Sequence, residues 1–356
     1  MPDVLDWQRD DPRLVMERAV RELTAGKLVI LPTDTGYHIA AYALHPEALA
    51  TLGQLGCNEQ AVLAVRDVKD ALRWAPGMSA AARRLGRRVW PGPVNLVIES
   101  PGTSEAQTGW NAGQGTIRLR VPAHEAPLMT LGQLAGPLVL APLPAGMGPE
   151  PTSAWGMRAS LVIADSPPTQ QLVATVVQVR GDKWQVTQAG SITAEMLQEL
   201  MLTLVLFVCT GNTCRSPMAE ALCKKLLAER HGCKPEELDR HGILVFSAGL
   251  AAMMGMEASP EAVTVIRDLG GDLSGHHSQP LTAELLAHAD HLFTMTQSHL
   301  RSLLPFCPEG GTQPRLLATD DRDIADPIGA EPEVYRECAG QILRYLQETL
   351  PQIQPP

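Results

Sequence analysis

The chain has 356 residues, 45% of them apolar and 19% charged, and its 29 basic and 39 acidic side chains leave a formal net charge of −10. At ~100–200 residues per domain this is the length of two folded domains, and the composition excludes a disordered or fibrous chain. The negative balance argues against a whole-chain electrostatic grip on nucleic acid or anionic lipid, and no apolar run reaches the ~18–20 residues a membrane-spanning helix needs.

In chain order, the first half predicts helices over 14–25 and 79–88. Strands are predicted over 28–32, 96–99, 116–121, 138–140 and 173–179. Arg83, Arg84, Arg87 and Arg88 form the one basic cluster, which reads as a solvated helix face or, as the alternative, a contact for RNA phosphates. Trp74, Trp90 and Trp110 read as packing residues. Near residue 200 the character changes. Only Cys57 of the 7 cysteines precedes it, and the net charge is −2 over residues 1–202 and −8 over residues 203–356. An odd cysteine count in a long chain, with no basic start and apolar stretch at the amino terminus, points to a reducing compartment, and the expectation is a cytoplasmic protein.

The second half alternates. Strands are predicted over 204–208, 244–246 and 292–295, and helices over 217–229, 260–269, 282–289 and 333–350. Such βα alternation implies a parallel sheet with helices on both faces. The expected fold class is therefore α/β in two domains, residues 1–200 and 203–356.

The most informative stretch is VLFVCTGNTCRSPMAE, residues 205–220. A buried strand runs into the loop Cys209, Thr210, Gly211, Asn212, Thr213, Cys214, Arg215. Ser216 then stands as a helix N-cap, with Pro217 at the first helical position. A loop between a strand and a helix N-terminus aims backbone N–H groups at one point, which suits a phosphate. Gly211 and Asn212 tolerate the positive φ values a tight cradle needs. Arg215 adds a planar fork for two phosphate oxygens. Cys209, in the same positive field, is expected to exist partly as thiolate and to attack phosphorus, leaving a phosphocysteine. No metal is needed for this chemistry. The Cys-x5-Arg spacing alone is weak, since Cys338 and Arg344 repeat it inside a predicted helix; the strand, glycine and serine around the first pair carry the reading.

A phosphocysteine route needs one acid to protonate the leaving group and later to activate water. Asp326 is the candidate, stiffened by Pro327 and followed by a turn at Gly329. The alternative is a turn cap in an acidic loop with Asp320, Asp321 and Asp323, which lacks the ligand spacing of a calcium loop.

With these residues on the page, the second half resembles the low-molecular-weight protein tyrosine phosphatase family. The resemblance covers roughly residues 203–350 and rests on FVCTGNTCRSPMAE, Ser247-Ala248-Gly249, His276 and Asp326-Pro327. It implies a Rossmann-like parallel sheet and a metal-independent enzyme acting on phosphorylated proteins without a cofactor. It further implies Cys209 as nucleophile, Arg215 as phosphate clamp, Asp326 as general acid, and Ser216 as donor to the thiolate. Asn212 would brace the loop with Ser247. Thr213 stands where tyrosine-directed members carry a bulky aliphatic residue, and Ile328 where they carry an aromatic one. The loop instead resembles the protein-arginine phosphatase branch, which ranks phosphoarginine above phosphotyrosine. Cys214 beside the loop is either a reversible disulfide partner for Cys209 or a small buried side chain. An arsenate reductase on the same scaffold would need a cysteine relay, and Cys223, Cys233, Cys307 and Cys338 show no suitable close pair.

The first half resembles the YrdC-like threonylcarbamoyl-AMP synthase family over roughly residues 12–200. The resemblance rests on LPTDTGY (31–37), WPGP (90–93), IRLRVP (117–122) and ATVV (174–177). It implies a twisted α/β sheet with a concave basic groove for ATP, threonine and bicarbonate, in the service of tRNA modification. The family's Lys-x-Arg segment is replaced by LGCNEQ (55–60) and its Ser-Ala-Asn segment by APLPAG (141–146). Each lost charge-assisted contact is worth roughly 1.5–3 kcal/mol. The expectation is a degenerate binding or regulatory module, with a tRNA link only if the domain is an active synthase.

Overall fold

The computed structural model describes residues 1–56, 60–99, 115–144, 152–153, 155–165, 172–307 and 311–355. Trp110, residues 57–59 of the replaced 55–60 segment and residues 145–146 of the replaced 141–146 segment therefore lie outside the described residues. The chain divides into two compact units, Met1–Leu200 and Met201–Pro356.

The first unit is built on one mixed sheet. Its strands are β1 (Asp3–Asp6), β2 (Leu28–Thr33), β3 (Gly36–Tyr42), β4 (Val62–Ala64), β5 (Val94–Glu99), β6 (Thr116–Arg120), β7 (Leu138–Pro142), β8 (Ala159–Ala164), β9 (Thr175–Arg180) and β10 (Lys183–Gln188). They lie in the order β1-β8-β2-β3-β7-β4-β6-β5-β9-β10. All of β2 is buried, as a strand covered on both faces must be. β2 and β3 pair antiparallel through a tight turn in which Gly36 takes φ 101°.

The helices of this unit are α1 (Pro12–Thr24), α2 (Pro46–Gly53), α3 (Val68–Trp74), α4 (Ala80–Val89), α5 (Glu125–Gln133) and α6 (Ala194–Leu200). Asp11 caps α1 and Pro12 opens it. Ser79 caps α4, which buries Ala82, Leu85 and Val89. Its basic face is not simply solvated: Arg83 is exposed, but Arg88 donates through Nη1 to the Leu200 carbonyl. Trp74 and Trp90 are buried in the core.

The second unit carries β11 (Thr203–Cys209), β12 (Ile243–Gly249), β13 (His291–Thr294) and β14 (Arg315–Leu316). The order is β12-β11-β13-β14 and every pairing is parallel. Helices α7 (Arg215–His231), α8 (Pro260–Asp268), α9 (Ala283–His288), α10 (Gln297–Leu303) and α11 (Pro332–Thr349) connect and follow them. Alternation along β11 feeds two cores. Val205 and Phe207 pack with Met218, Leu222, Ile266 and Ile342, residues of α7, α8 and α11. Leu204, Leu206 and Val208 pack with Leu286 and Leu303, from α9 and α10. Helices thus cover both faces, and β11 delivers Cys209 to the carboxyl edge of the sheet, where open α/β folds place their ligands.

His38 on β3 offers a pH test of the first unit. Its Nδ1 lies 3.1 Å from the Gly36 carbonyl, and burial pushes its pKa down from 6.5 to about 4. The folded value lies below the unfolded one, so the associated stability is present above pH 6.5 and drains away as pH falls toward 4. The full contribution is roughly 2–4 kcal/mol. His38→Gln should flatten the pH dependence of hydrogen-exchange protection in β2 and β3 across that window; an unchanged slope would contradict the assignment.

Candidate active site

Five carbonyls of the loop after β11 are pinned outward. Cys209 O accepts from Leu250 N at 2.9 Å and Thr210 O from Ala251 N at 2.9 Å. Asn212 O lies 2.8 Å from His276 Nε2. Thr213 O accepts from Ser259 N at 2.9 Å, and Cys214 O from Met218 N at 3.1 Å in the first turn of α7. In a trans peptide the carbonyl and the next N–H point in opposite directions. The amides of Thr210, Gly211, Thr213, Cys214 and Arg215 are thereby turned to the loop's inner side. The Asn212 amide donates to Cys209 Sγ at 3.3 Å.

The left-handed residue that closes this ring is Asn212, at φ 56°. The expectation that Gly211 shares that role is corrected: Gly211 is not among the positive-φ residues, and a Cβ there would meet only Thr213 Oγ1, at an ordinary 3.6 Å. Asn212 holds its conformation through its side chain. Nδ2 donates to Ser247 Oγ at 2.8 Å and to Ser216 Oγ at 3.0 Å, while Oδ1 accepts from Gln279 N at 2.9 Å.

A second correction concerns Ser216. Sequence spacing makes it the N-cap, but α7 begins at Arg215 with Cys214 as the cap residue and no capping side chain. Ser216 sits fully buried in the first turn with its hydroxyl 3.0 Å from Cys209 Sγ. With its Oγ turned to sulfur, Ser216 is not spent on the first amides of α7.

Arg215 is 5% exposed. Its Nη1 donates to Ile324 O at 3.2 Å and its Nη2 pairs with Asp326 Oδ2. Its buried Nε has no hydrogen-bond partner. A buried unpaired donor of a guanidinium is expensive unless an acceptor joins it. Asp326 itself is 42% exposed in its side chain, and Pro327 beside it is buried. Arg215 and Asp326 are thus brought together, and Ser216, the next residue after Arg215, touches the Cys209 sulfur, with Asn212, Ser247 and His276 bonded around them. Thr213 is less committed. Thr213 is half-buried and its hydroxyl touches only Cys214 Sγ, at 3.7 Å. Cys214 Sγ in turn faces Ser259 Oγ at 3.5 Å and Tyr335 Oη at 3.6 Å.

Several participants were invisible in the sequence. His299 reaches Thr210 Oγ1 at 2.9 Å and Thr296 Oγ1 at 3.0 Å; burial, then the Arg215 charge, push its pKa below the ordinary imidazole value. Leu250, Ala251, Ser259 and Gln279 act through main-chain N–H groups, which leave no side-chain signal. Burial pushes the Cys338 thiol up to about 12, and Cys223 and Cys307 are also raised by burial. Among the described residues no group of three His, Cys, Asp or Glu side chains is arranged to hold a metal ion, and no helix is long and apolar enough to cross a membrane.

Gly249 is a tight point. A Cβ there would fall 2.5 Å from Thr210 O and 3.0 Å from Asn212 N. Gly249→Ala should displace the loop and lower kcat/KM by roughly 10²-fold with β11 and β12 still folded. Unchanged turnover would show that the outward pinning of the carbonyls is dispensable.

In the first unit a cavity of 330 Å³ is lined by Thr35, His38, Asn95, Arg118, Arg120 and Gln188 among others. Arg120 is 2% exposed and paired with Asp34 at 2.7 Å. Arg118 Nε and the Oδ1 of buried Asn95 have no hydrogen-bond partner.

Residues 204–355 match the family profile described as low molecular weight phosphotyrosine protein phosphatase, and residues 21–190 match one described as telomere recombination (Sua5, YciO, YrdC). The chain is 34% identical over 154 residues to a probable low molecular weight protein-tyrosine-phosphatase EpsP of Ralstonia nicotianae, covering 43% of this chain and 97% of that one. It is 37% identical over 142 residues to the protein-arginine-phosphatase of Geobacillus stearothermophilus, covering 39% and 87% respectively. A crystal structure of a low molecular weight protein tyrosine phosphatase from T. tengcongensis is 34% identical over 42% of this chain and 99% of its own, with a TM-score of 0.38. Through its second unit the chain belongs to the low molecular weight phosphotyrosine protein phosphatase family, fused behind a YrdC-family domain.

Proposed function

We propose that the second unit hydrolyses phosphorylated protein side chains through a phosphocysteine at Cys209. The observation that carries the reading is the ring of inward amides around Cys209, closed by an Arg215 whose buried Nε awaits an acceptor. Cys209 Sγ as thiolate attacks phosphorus while the bond from phosphorus to the leaving group breaks. Asp326, protonated for this step, gives its proton to the departing atom. Water then attacks phosphorus, Asp326 takes the water proton, the S–P bond breaks, and inorganic phosphate and the thiolate are regenerated. Arg215 and the amides hold the three equatorial oxygens throughout. An incoming phosphate competes for the guanidinium that pairs with Asp326, and so frees the carboxyl for proton transfer.

For the leaving group we favour phosphoarginine over phosphotyrosine. Thr213 leaves room and a hydroxyl at the loop mouth, and Ile328, 67% exposed after Asp326-Pro327, offers no ring to stack on a phenol. The relatives include enzymes named for each substrate. The reductase alternative is disfavoured by the raised thiols of Cys223, Cys307 and Cys338, which make poor relay nucleophiles.

For the first unit we propose a module that binds a small monoanion rather than a nucleotide-consuming synthase. Of the two guanidinium groups lining its cavity, Arg120 is neutralised by Asp34, which leaves Arg118 as the uncompensated cation among the described lining residues. One guanidinium and the Asn95 acceptor suit a carboxylate that also carries a donor. A triphosphate would need several cations.

Cys209→Ser should abolish turnover, and Asp326→Ala should lower kcat by about 10²–10⁴-fold. Phosphoarginine peptides should outrun phosphotyrosine and phosphoserine peptides, and Thr213→Ile should erode that preference; faster phosphotyrosine turnover, unmoved by Thr213→Ile, would reverse the substrate assignment. For the first unit, pyrophosphate release from ATP with threonine and bicarbonate would overturn the module reading, whereas monoanion binding lost in Arg118→Ala supports it.

A further inference from the structure

Behind the loop, one hydrogen-bonded chain runs from a surface ion pair to the Cys209 sulfur. Lys224 Nζ donates to Glu220 Oε1 at 2.5 Å, and Glu220 Oε2 accepts from Ser247 Oγ at 2.6 Å. Ser247 Oγ accepts from Asn212 Nδ2 at 2.8 Å, and the same Nδ2 donates to Ser216 Oγ at 3.0 Å. Ser216 Oγ lies 3.0 Å from Cys209 Sγ and 3.3 Å from Ala248 O.

The chain has a direction: Glu220 sets it at Ser247, and the Gln279 main-chain N–H, which can only donate, holds Asn212 Oδ1 the same way round. A carboxylate only accepts, so the Ser247 hydrogen must point to Glu220. Ser247 then has only lone pairs to offer Asn212, so the amide group, not its oxygen, faces Ser247 and Ser216. That orientation leaves Asn212 Oδ1 for the Gln279 amide. Ser216 accepts from Asn212 and spends its own hydrogen on the sulfur, the closer of its two remaining partners. Reversing the first bond would let Ser247 donate toward Asn212, turn the amide over, and deprive Ser216 of the donor that commits its oxygen.

We propose that Glu220 is a positioning residue for the nucleophile, polarising the Ser247–Asn212–Ser216 chain so that Ser216 donates to the Cys209 sulfur. The proposal rests on Cys209 being the nucleophile. Glu220 is one turn beyond Ser216 on α7 and half-buried, and its carboxylate bonds Lys224 and Ser247 rather than the sulfur or Arg215. Its outer side lines a cavity of 210 Å³ with Lys224, Asp272 and His276. The His276 ring also holds the Asn212 carbonyl, so this support of Asn212 and the far end of its hydrogen-bonded chain border the same space.

The test reads the sulfur directly. The full-length chain is alkylated with iodoacetamide across a pH series, and the rate at Cys209 is followed by peptide mass spectrometry. The variants are Glu220→Gln, Ser247→Ala and the double variant. In Glu220→Gln the Lys224 ammonium takes the amide oxygen and turns the NH₂ toward Ser247, reversing the first bond while keeping the shape. The pH of half-maximal alkylation should rise by about one unit, a tenfold change in the protonation equilibrium. Ser247→Ala should raise it similarly, and the double variant should add nothing further, because both act through one chain. A merely structural role would lower turnover without moving this profile. The proposal is overturned if Glu220→Gln alkylates with the wild-type profile, or if the two substitutions shift it additively. If wild-type Cys209 alkylates no faster at neutral pH than an ordinary thiol, the phosphatase reading itself fails, which is a different result.

Discussion

A peptide plane cannot turn its carbonyl out without turning its neighbouring amide in. The site depends on that constraint. Between the end of β11 and the start of α7 the backbone makes a ring, and its five pinned carbonyls find their partners on four parts of the unit: the stretch after β12, which holds two of them, the segment carrying His276, the start of α8 and α7 itself. The anion site is therefore the inner face of a structure whose outer face is tied to the rest of the unit. Its donors are oriented before any ligand arrives, which is what electrostatic stabilisation of a transferring phosphoryl group requires. The same logic explains Asn212. A left-handed residue without glycine's freedom is tolerated because its amide is bonded on three sides.

Sheet topology and chemistry meet at one residue. β11 is buried throughout and apolar after Thr203 because it is covered on both faces, and the register that buries Phe207 against Phe293, with ring centroids 5.4 Å apart, also sets where Cys209 leaves the sheet. α7 then begins without a side-chain cap, so its first amides stay available to the site. Arg215 and Asp326 come from opposite ends of the unit's sequence. They meet because α11 and the segment before it pack against α7, in the core that holds Ile324 and Tyr335.

Much of the second unit was legible beforehand for a physical reason. A strand buried on both faces is a continuous apolar run, and helices on such a sheet carry one apolar stripe, so β11, α7, α8 and α11 stood out. The two-residue β14 carries no pattern. Cys209, Arg215 and Asp326 were legible because their residue types are scarce and chemically committed. The start of α7 was misread because a serine before a proline is a good cap in isolation; the site claims its hydroxyl for sulfur instead. Main-chain donors such as Leu250 and Ala251 could not be read at all. Glu220 left a faint signal, four residues after Ser216 and so on the same helix face. In the first unit, β3 and β8 are not among the predicted strands: alanines interrupt or flank their short apolar runs, Ile39 in one and Leu161–Ile163 in the other, and pairing with neighbouring strands completes them.

The proposed phosphoryl transfer through Cys209 requires that phosphorus bond transiently to its sulfur. Asp326→Ala enzyme, mixed with a phosphorylated peptide and quenched in acid, should yield a Cys209-containing peptide that carries a phosphoryl mass increment and loses it under conditions that cleave S–P bonds. Turnover of the wild-type enzyme with no such adduct in the variant, or an adduct on any other residue, would contradict the account.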